Sequence, residues 1–197
     1  IYVIKLFYFG DNAMLLNATA ASGLVSTLTP ITVIFGAIMF NRMMETTGCI
    51  DVIRKWLATI SPNPIAQLMI IGWSFAFMIE GASGFGTPAA IAAPILMSLG
   101  FNPLKVAIFT LVMNSVPVSF GAVGTPTWFG FAPLNLSAEN ILAIGRQTGV
   151  MHFFAGFIIP VIGLSFIVPW AEIRKNLGFI GIAVFSCTLP YVALSMV

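Results

Sequence analysis

The sequence predicts an all-α integral membrane protein, a polytopic helix bundle, and three observations carry that expectation. Hydrophobic residues fill 59% of the 197 positions and charged residues only 7%, with a mean hydropathy of +1.04, whereas a soluble domain carries roughly 25% charge. The charges cluster, leaving uncharged runs at 12–41, 56–79, 81–104, 106–138, 147–171 and 176–197, each about as long as the roughly 20 residues a spanning helix needs. Glycine and proline collect inside two of these runs, which marks a re-entrant hairpin and a broken transmembrane helix.

The same composition excludes other classes. A net charge of +2 is too small and too dispersed for a nucleic-acid footprint. Cys49 and Cys187 stand far apart, without a C-x-x-C or a neighbouring histidine, so neither a metal nor a redox cofactor is expected. Apolar runs fill the whole chain, unlike a short cleavable leader. Because it begins at Ile1 and its last apolar run reaches Val197 without a polar tail, the chain is expected to be one membrane-embedded piece of a longer protein.

Taken in order, residues 13–40 form a span that Pro30, after the polar stretch Ser26-Thr27-Leu28-Thr29, should kink. A polar connection at 41–64 follows. In it Ile50, Ile53, Trp56, Leu57 and Ile60 recur at helical spacing, with Asp51, Arg54 and Lys55 on other faces. That pattern predicts an interfacial helix with Trp56 at headgroup depth. Residues 65–99 are interrupted by Glu80-Gly81-Ala82-Ser83-Gly84-Phe85-Gly86-Thr87-Pro88. The arm 65–79 reaches only about 22 Å at 1.5 Å per residue, short of a hydrocarbon core of about 30 Å, and so should dive and turn back. Residues 106–133 contain Gly121-Ala122-Val123-Gly124-Thr125-Pro126 and should form a broken span. Residues 148–170 and 177–197 read as ordinary spans.

Charge placement supports this topology. With a hairpin at 65–99 and one crossing at 106–133, Arg42, Arg54, Lys55, Lys105, Arg174 and Lys175 share one side, opposite Lys5 and Arg146. The richer side is then cytoplasmic; two plain crossings would divide the basic residues evenly.

The two interruptions correspond in sequence. Gly81-Ala82-Ser83-Gly84 with Thr87-Pro88 matches Gly121-Ala122-Val123-Gly124 with Thr125-Pro126, and Ala93-Pro94-Ile95 echoes Ala132-Pro133-Leu134. Threonine is a good N-cap and proline suits the first helical turn, so each motif should start a half-helix. Non-helical backbone inside hydrocarbon needs protein or a water-filled cavity to satisfy it. Two half-helix N-termini with glycine N–H groups and hydroxyls then suit a carboxylate, the way secondary transporters build midplane sites. Close helix packing also uses glycine, and that is the reading for Gly156 and Gly163. It requires neither the Thr-Pro pairs nor the adjacent Glu80.

From Glu80 to Pro88 the sequence resembles the lactate permease family of bacterial carriers for lactate and glycolate. The stretches Leu99-Gly-Phe-Asn-Pro103, Asn114-Ser-Val-Pro-Val-Ser-Phe-Gly-Ala-Val-Gly-Thr-Pro126, Phe9-Gly-Asp11 and Leu16-Asn-Ala-Thr19 are similar to that family too. The resemblance covers an N-terminal to central portion of a larger permease. It implies a secondary active transporter in the bacterial inner membrane, importing a small 2-hydroxymonocarboxylate with a coupled proton. It sets no oligomeric state.

Candidate residues follow. Glu80 has 24 uncharged positions on either side before Lys55 and Lys105; a carboxyl there is costly when ionised, which makes it the candidate proton carrier, or else a brace for the loop. Gly81, Ser83, Gly84, Gly86, Thr87, Asn114, Gly121, Gly124 and Thr125 are candidate substrate ligands. Thr87 and Thr125 are expected mainly to cap their own helices. Asn114 serves either substrate or interhelical bonding. Arg146 and His152 are secondary candidates, expected to face water and the membrane interface. Two other functions fit parts of the pattern. Gly81-Ala82-Ser83-Gly84 with His152 suggests an intramembrane serine protease, but that leaves the second motif and Glu80 unexplained. An anion channel would use the same dipoles without needing a titratable Glu80.

Overall fold

The computed structural model describes every residue except Phe85 and Val197, and only the backbone of Ala37, Asn41, Arg54 and Ala58. Phe85 in the first motif, the Arg54 side chain in the basic set, the Asn41 side chain and the end of the last span at Val197 therefore lie outside the described residues. The chain divides into two compact units, Ile1–Gly48 and Cys49–Val197.

In the first unit, α1 (Tyr2–Phe7) leads to α2 (Ala13–Ser26), which Asn12 caps by accepting the Met14 N–H at 2.8 Å. Next comes α3 (Leu28–Thr46), which extends past the expected end of the span into the connection. The division falls at Thr27, one turn before Pro30. Proline lacks the N–H that would bond the Ser26 carbonyl, so the ladder opens just upstream of it.

The second unit begins with α4 (Cys49–Thr59), whose Ile50 and Leu57 are buried while Trp56 is exposed. Asn63 then caps α5 (Pro64–Met69), accepting the Ile65 N–H at 2.9 Å. A π-helical turn, Ile70–Phe75, carries α5 into α6 (Ala76–Ser83). Together they make one 20-residue helix, Pro64–Ser83, long enough for about 30 Å. The expected break after residue 79 thus arrives later: Glu80, Gly81, Ala82 and Ser83 stay helical, and the helix ends at Gly84. One glycine inside a helix costs only about 1 kcal/mol, which packing outweighs.

After the break, α7 (Thr87–Ser98) packs against α6 and the π turn. It is followed by α8 (Pro103–Asn114), capped by Asn102. A 3-10 turn (Pro117–Phe120), α9 (Gly121–Phe131) and a second 3-10 turn (Ala132–Leu134) continue the chain, bent 59° from α8. The long helix α10 (Ala138–Ser165) starts well before the expected residue 148, because Ser137 caps it. A short α11 (Trp170–Lys175) leads to α12 (Leu177–Ser195).

The core of this unit is built from Leu68, Met69, Ile71, Trp73, Ile95, Leu96, Phe109, Met113 and Leu164. Glycines let its helices close up. A Cβ on Gly156 would meet Thr188 Cγ2 at 2.6 Å, and one on Gly163 would sit 3.3 Å from both Phe109 and Met113. Both are packing glycines, as the sequence suggested. Among the described residues, four helices are long and apolar enough to cross a membrane, or five if the bent pair counts as one.

Candidate functional site

The two glycine motifs meet. Gly84 is buried with φ +61°, and a Cβ there would lie 2.7 Å from both Cβ and N of Ala122. Only glycine tolerates both that conformation and that approach. One turn before it, α6 points Glu80 into the same junction. The Glu80 side chain is 1% exposed, and a Cβ on Gly121 would meet its Oε1 at 2.5 Å. The carboxyl of the first motif therefore rests on the leading glycine of the second.

The polar surroundings of Glu80 are incomplete. The Asn114 side chain, at the end of α8, and the Gly86 backbone lie within hydrogen-bonding reach of its carboxyl. Even so, Glu80 Oε2 and Asn114 Oδ1 are both fully buried and unbonded. Buried polar atoms are nearly always paired, and an acceptor left alone costs about 1–3 kcal/mol.

The remaining candidates divide. Gly86 has φ +76° and stands at the N-cap of α7, so Thr87 is the first helical residue and its hydroxyl caps nothing. Thr125 donates to the Ala122 carbonyl rather than accepting an N–H. Left-handed residues occupy the cap positions in both motifs, which corrects the expected capping role of Thr87 and Thr125. In the second motif these residues are Ala122, Val123 and Gly124, with φ of 46°, 57° and 81°. Ser83 donates to the Ile79 carbonyl at 2.9 Å. Gly81 is exposed and lines a cavity of about 360 Å³ with Phe77, Phe120, Tyr191 and Ser195. Arg146 is exposed, its Nε donating to the Met196 carbonyl at 3.2 Å.

His152 departs from expectation. It lies well inside α10, half-buried, rather than at a solvated boundary. Its Nδ1 is 2.8 Å from the Tyr191 hydroxyl and its Nε2 is 3.4 Å from Ser119 Oγ. The early start of α10 moves it inward. Ser83 and His152 are thus each bonded elsewhere, and the Ser83–His152 dyad does not form. Tyr191 is the residue that sequence reasoning missed. The only local signal was a phenol beside Pro190 in a span without charged residues. Its ring packs on Phe77 at 5.3 Å and on Phe120 at 5.1 Å between centroids, next to the positions that hold Glu80.

Membrane-length helices and two broken segments that meet at a buried carboxyl define a multi-pass α-helical membrane protein. The chain belongs to the L-lactate permease family, whose model matches residues 1–197. It is 58% identical over 194 residues to a protein of Haemophilus influenzae named "Putative L-lactate permease", covering 98% of this chain and 36% of that one. It is 36% identical over 143 residues to the L-lactate permease of Salmonella typhimurium, 72% of this chain and 23% of the relative. The glycolate permease GlcA of Escherichia coli is 33% identical over 185 residues, 91% of this chain and 30% of the relative. The chain thus spans about a third or less of the curated relatives it matches. No solved structure matches it.

Proposed function

We propose that this chain is the part of a secondary active transporter that binds a small 2-hydroxymonocarboxylate, lactate or glycolate, and couples its import to a proton across the bacterial inner membrane. The observation that carries the reading is Glu80, buried against Gly121 where the two glycine motifs touch. Family membership supports the substrate class, since relatives are named for lactate and for glycolate.

In this mechanism Glu80 is the proton carrier. A proton on its carboxyl supplies the donor that Glu80 Oε2 and Asn114 Oδ1 both lack, so acid and amide pair without an unbonded atom. Loss of the proton leaves a carboxylate in a water-poor site, which favours a rearrangement that opens it to solvent. The substrate carboxylate binds at the junction, where Gly81, Ser83, Gly84, Gly86 and Thr87 face Asn114, Gly121, Gly124 and Thr125. The stretch 106–133 crosses the membrane.

The experiment is uptake by a full-length permease containing this segment, in proteoliposomes with and without a pH gradient. Wild type accumulates labelled lactate only with the gradient. Glu80→Gln, which mimics the protonated form alone, keeps exchange of lactate for lactate and loses gradient-driven accumulation. Accumulation that survives in Glu80→Gln removes Glu80 from coupling, and a wild type that moves no lactate ends the transport reading.

A further inference from the structure

We propose that Tyr191, held by His152, recognises the 2-hydroxyl of the substrate in the cavity beside Gly81. The inference rests on the transport reading above and concerns the half of the substrate that a carboxylate site leaves unread.

The cavity of about 360 Å³ lies against the first motif at Gly81 and against the second at Phe120, the residue before Gly121. Phe77, Met78, Pro117, Phe120 and Leu194 give it apolar walls, and the hydroxyls it presents belong to Tyr191 and Ser195. Ser195 already donates to the Val192 carbonyl at 2.7 Å. A carboxylate anchored at the glycine junction would direct its remaining one- or two-carbon body into this space. Small-molecule sites commonly have this make-up, apolar walls with few polar groups.

His152 is assigned the Nε2–H tautomer, which gives the hydrogen-bond chain a direction. Tyr191 Oη, 2.8 Å from His152 Nδ1, donates to it when the imidazole is protonated on Nε2, and Nε2–H then faces Ser119 Oγ at 3.4 Å. Thr127 donates to the Ser119 carbonyl at 2.6 Å, tying the chain to α9. With its proton committed to His152 and the Phe120 backbone N–H directed at its oxygen, the phenol offers a substrate one remaining lone pair. A 2-hydroxyl donates to that oxygen. A 2-oxo group has no proton to give, and an unsubstituted carbon has neither. Phe77 and Phe120 hold the ring from two sides, so Oη stays in place. Tyr191 is a specificity residue, and His152 is its positioning residue.

The test is competition against labelled lactate uptake by unlabelled lactate, pyruvate and propionate, in the full-length permease and variants at matched membrane expression. Wild type should prefer lactate to pyruvate and propionate by at least about tenfold, the scale of one buried hydrogen bond. Tyr191→Phe keeps the ring and its packing. It should weaken lactate about tenfold, leave propionate inhibition unchanged and collapse the ratio. His152→Gln should lower the ratio in the same direction by less, and it decides the matter alone if Tyr191→Phe does not reach the membrane. An unchanged lactate-to-propionate ratio in Tyr191→Phe, whatever happens to the rate, overturns the inference. So does a wild type that takes up lactate without preferring it. A wild type with no lactate uptake overturns the transport reading instead.

Discussion

The two glycine motifs begin with the same residues and fold differently. In the first, Gly81, Ala82 and Ser83 remain right-handed helix, and left-handed backbone falls on Gly84 and Gly86. In the second, Gly121 leads directly into Ala122, Val123 and Gly124, all left-handed. The spacing to the Thr-Pro pair accounts for the difference. Two residues lie between Gly84 and Thr87, one of them a further glycine, whereas Gly124 abuts Thr125. The second motif has a single glycine for its turn, so residues with side chains take up the rest. Left-handed backbone costs about 1–2 kcal/mol at a non-glycine residue, and Val123 is β-branched. Strain of this kind persists where surrounding contacts over-determine it; here Ala122 is buried against Gly84, while Val123 is exposed. The acid stands on unstrained helix just before the first motif, and the second motif rests Gly121 against it with strained backbone following.

Substitutions at the junction should separate these roles most sharply. Gly84→Ala places a Cβ on the backbone of Ala122 and an alanine at φ +61°. It should remove about 3 kcal/mol or more of stability and abolish uptake, measured by thermal unfolding in detergent and by transport. Uptake near wild type would mean that the motifs do not touch in the working carrier.

Gly121→Ala is a milder change aimed at the cradle alone. Its Cβ would meet Glu80 Oε1 at 2.5 Å, a clash that a flexible carboxylate relieves by moving, at a cost of about 1–3 kcal/mol. The variant should fold, with gradient-driven uptake reduced at least about tenfold and exchange reduced less. Equal loss of both would make Gly121 a plain packing glycine.

The smallest effects should have opposite signs. Val123→Gly releases left-handed strain and should raise stability by about 1 kcal/mol. Ser83→Gly, at the corresponding position but in right-handed helix, should lower it by about 0.5–1 kcal/mol. Matched changes of the same sign, read from paired thermal midpoints, would mean that the two motifs share one conformation.

Much of this molecule was legible in its residues. Hydropathy and charge spacing are local properties, and they led to the membrane class, the helical fold and the two interruptions, because a helix in lipid must satisfy its own backbone. The capping expectation for Thr87 and Thr125 failed because a left-handed residue just upstream took the cap in both motifs. The break after residue 79 was read too early, since a lone glycine does not stop a helix that is packed on its neighbours.

What the sequence determined by itself was therefore the solvent this protein lives in, the two places where its apolar helices are interrupted, and the identity of Glu80 as its isolated acid. Only the tertiary structure decided what Glu80 touches, and that Tyr191 and His152 join beside it. Those partners lie on different helices, dozens of residues apart, so no local periodicity encodes their meeting. Their contacts depend on where a helix starts, how a 59° bend turns α9, and how closely glycines let the helices approach.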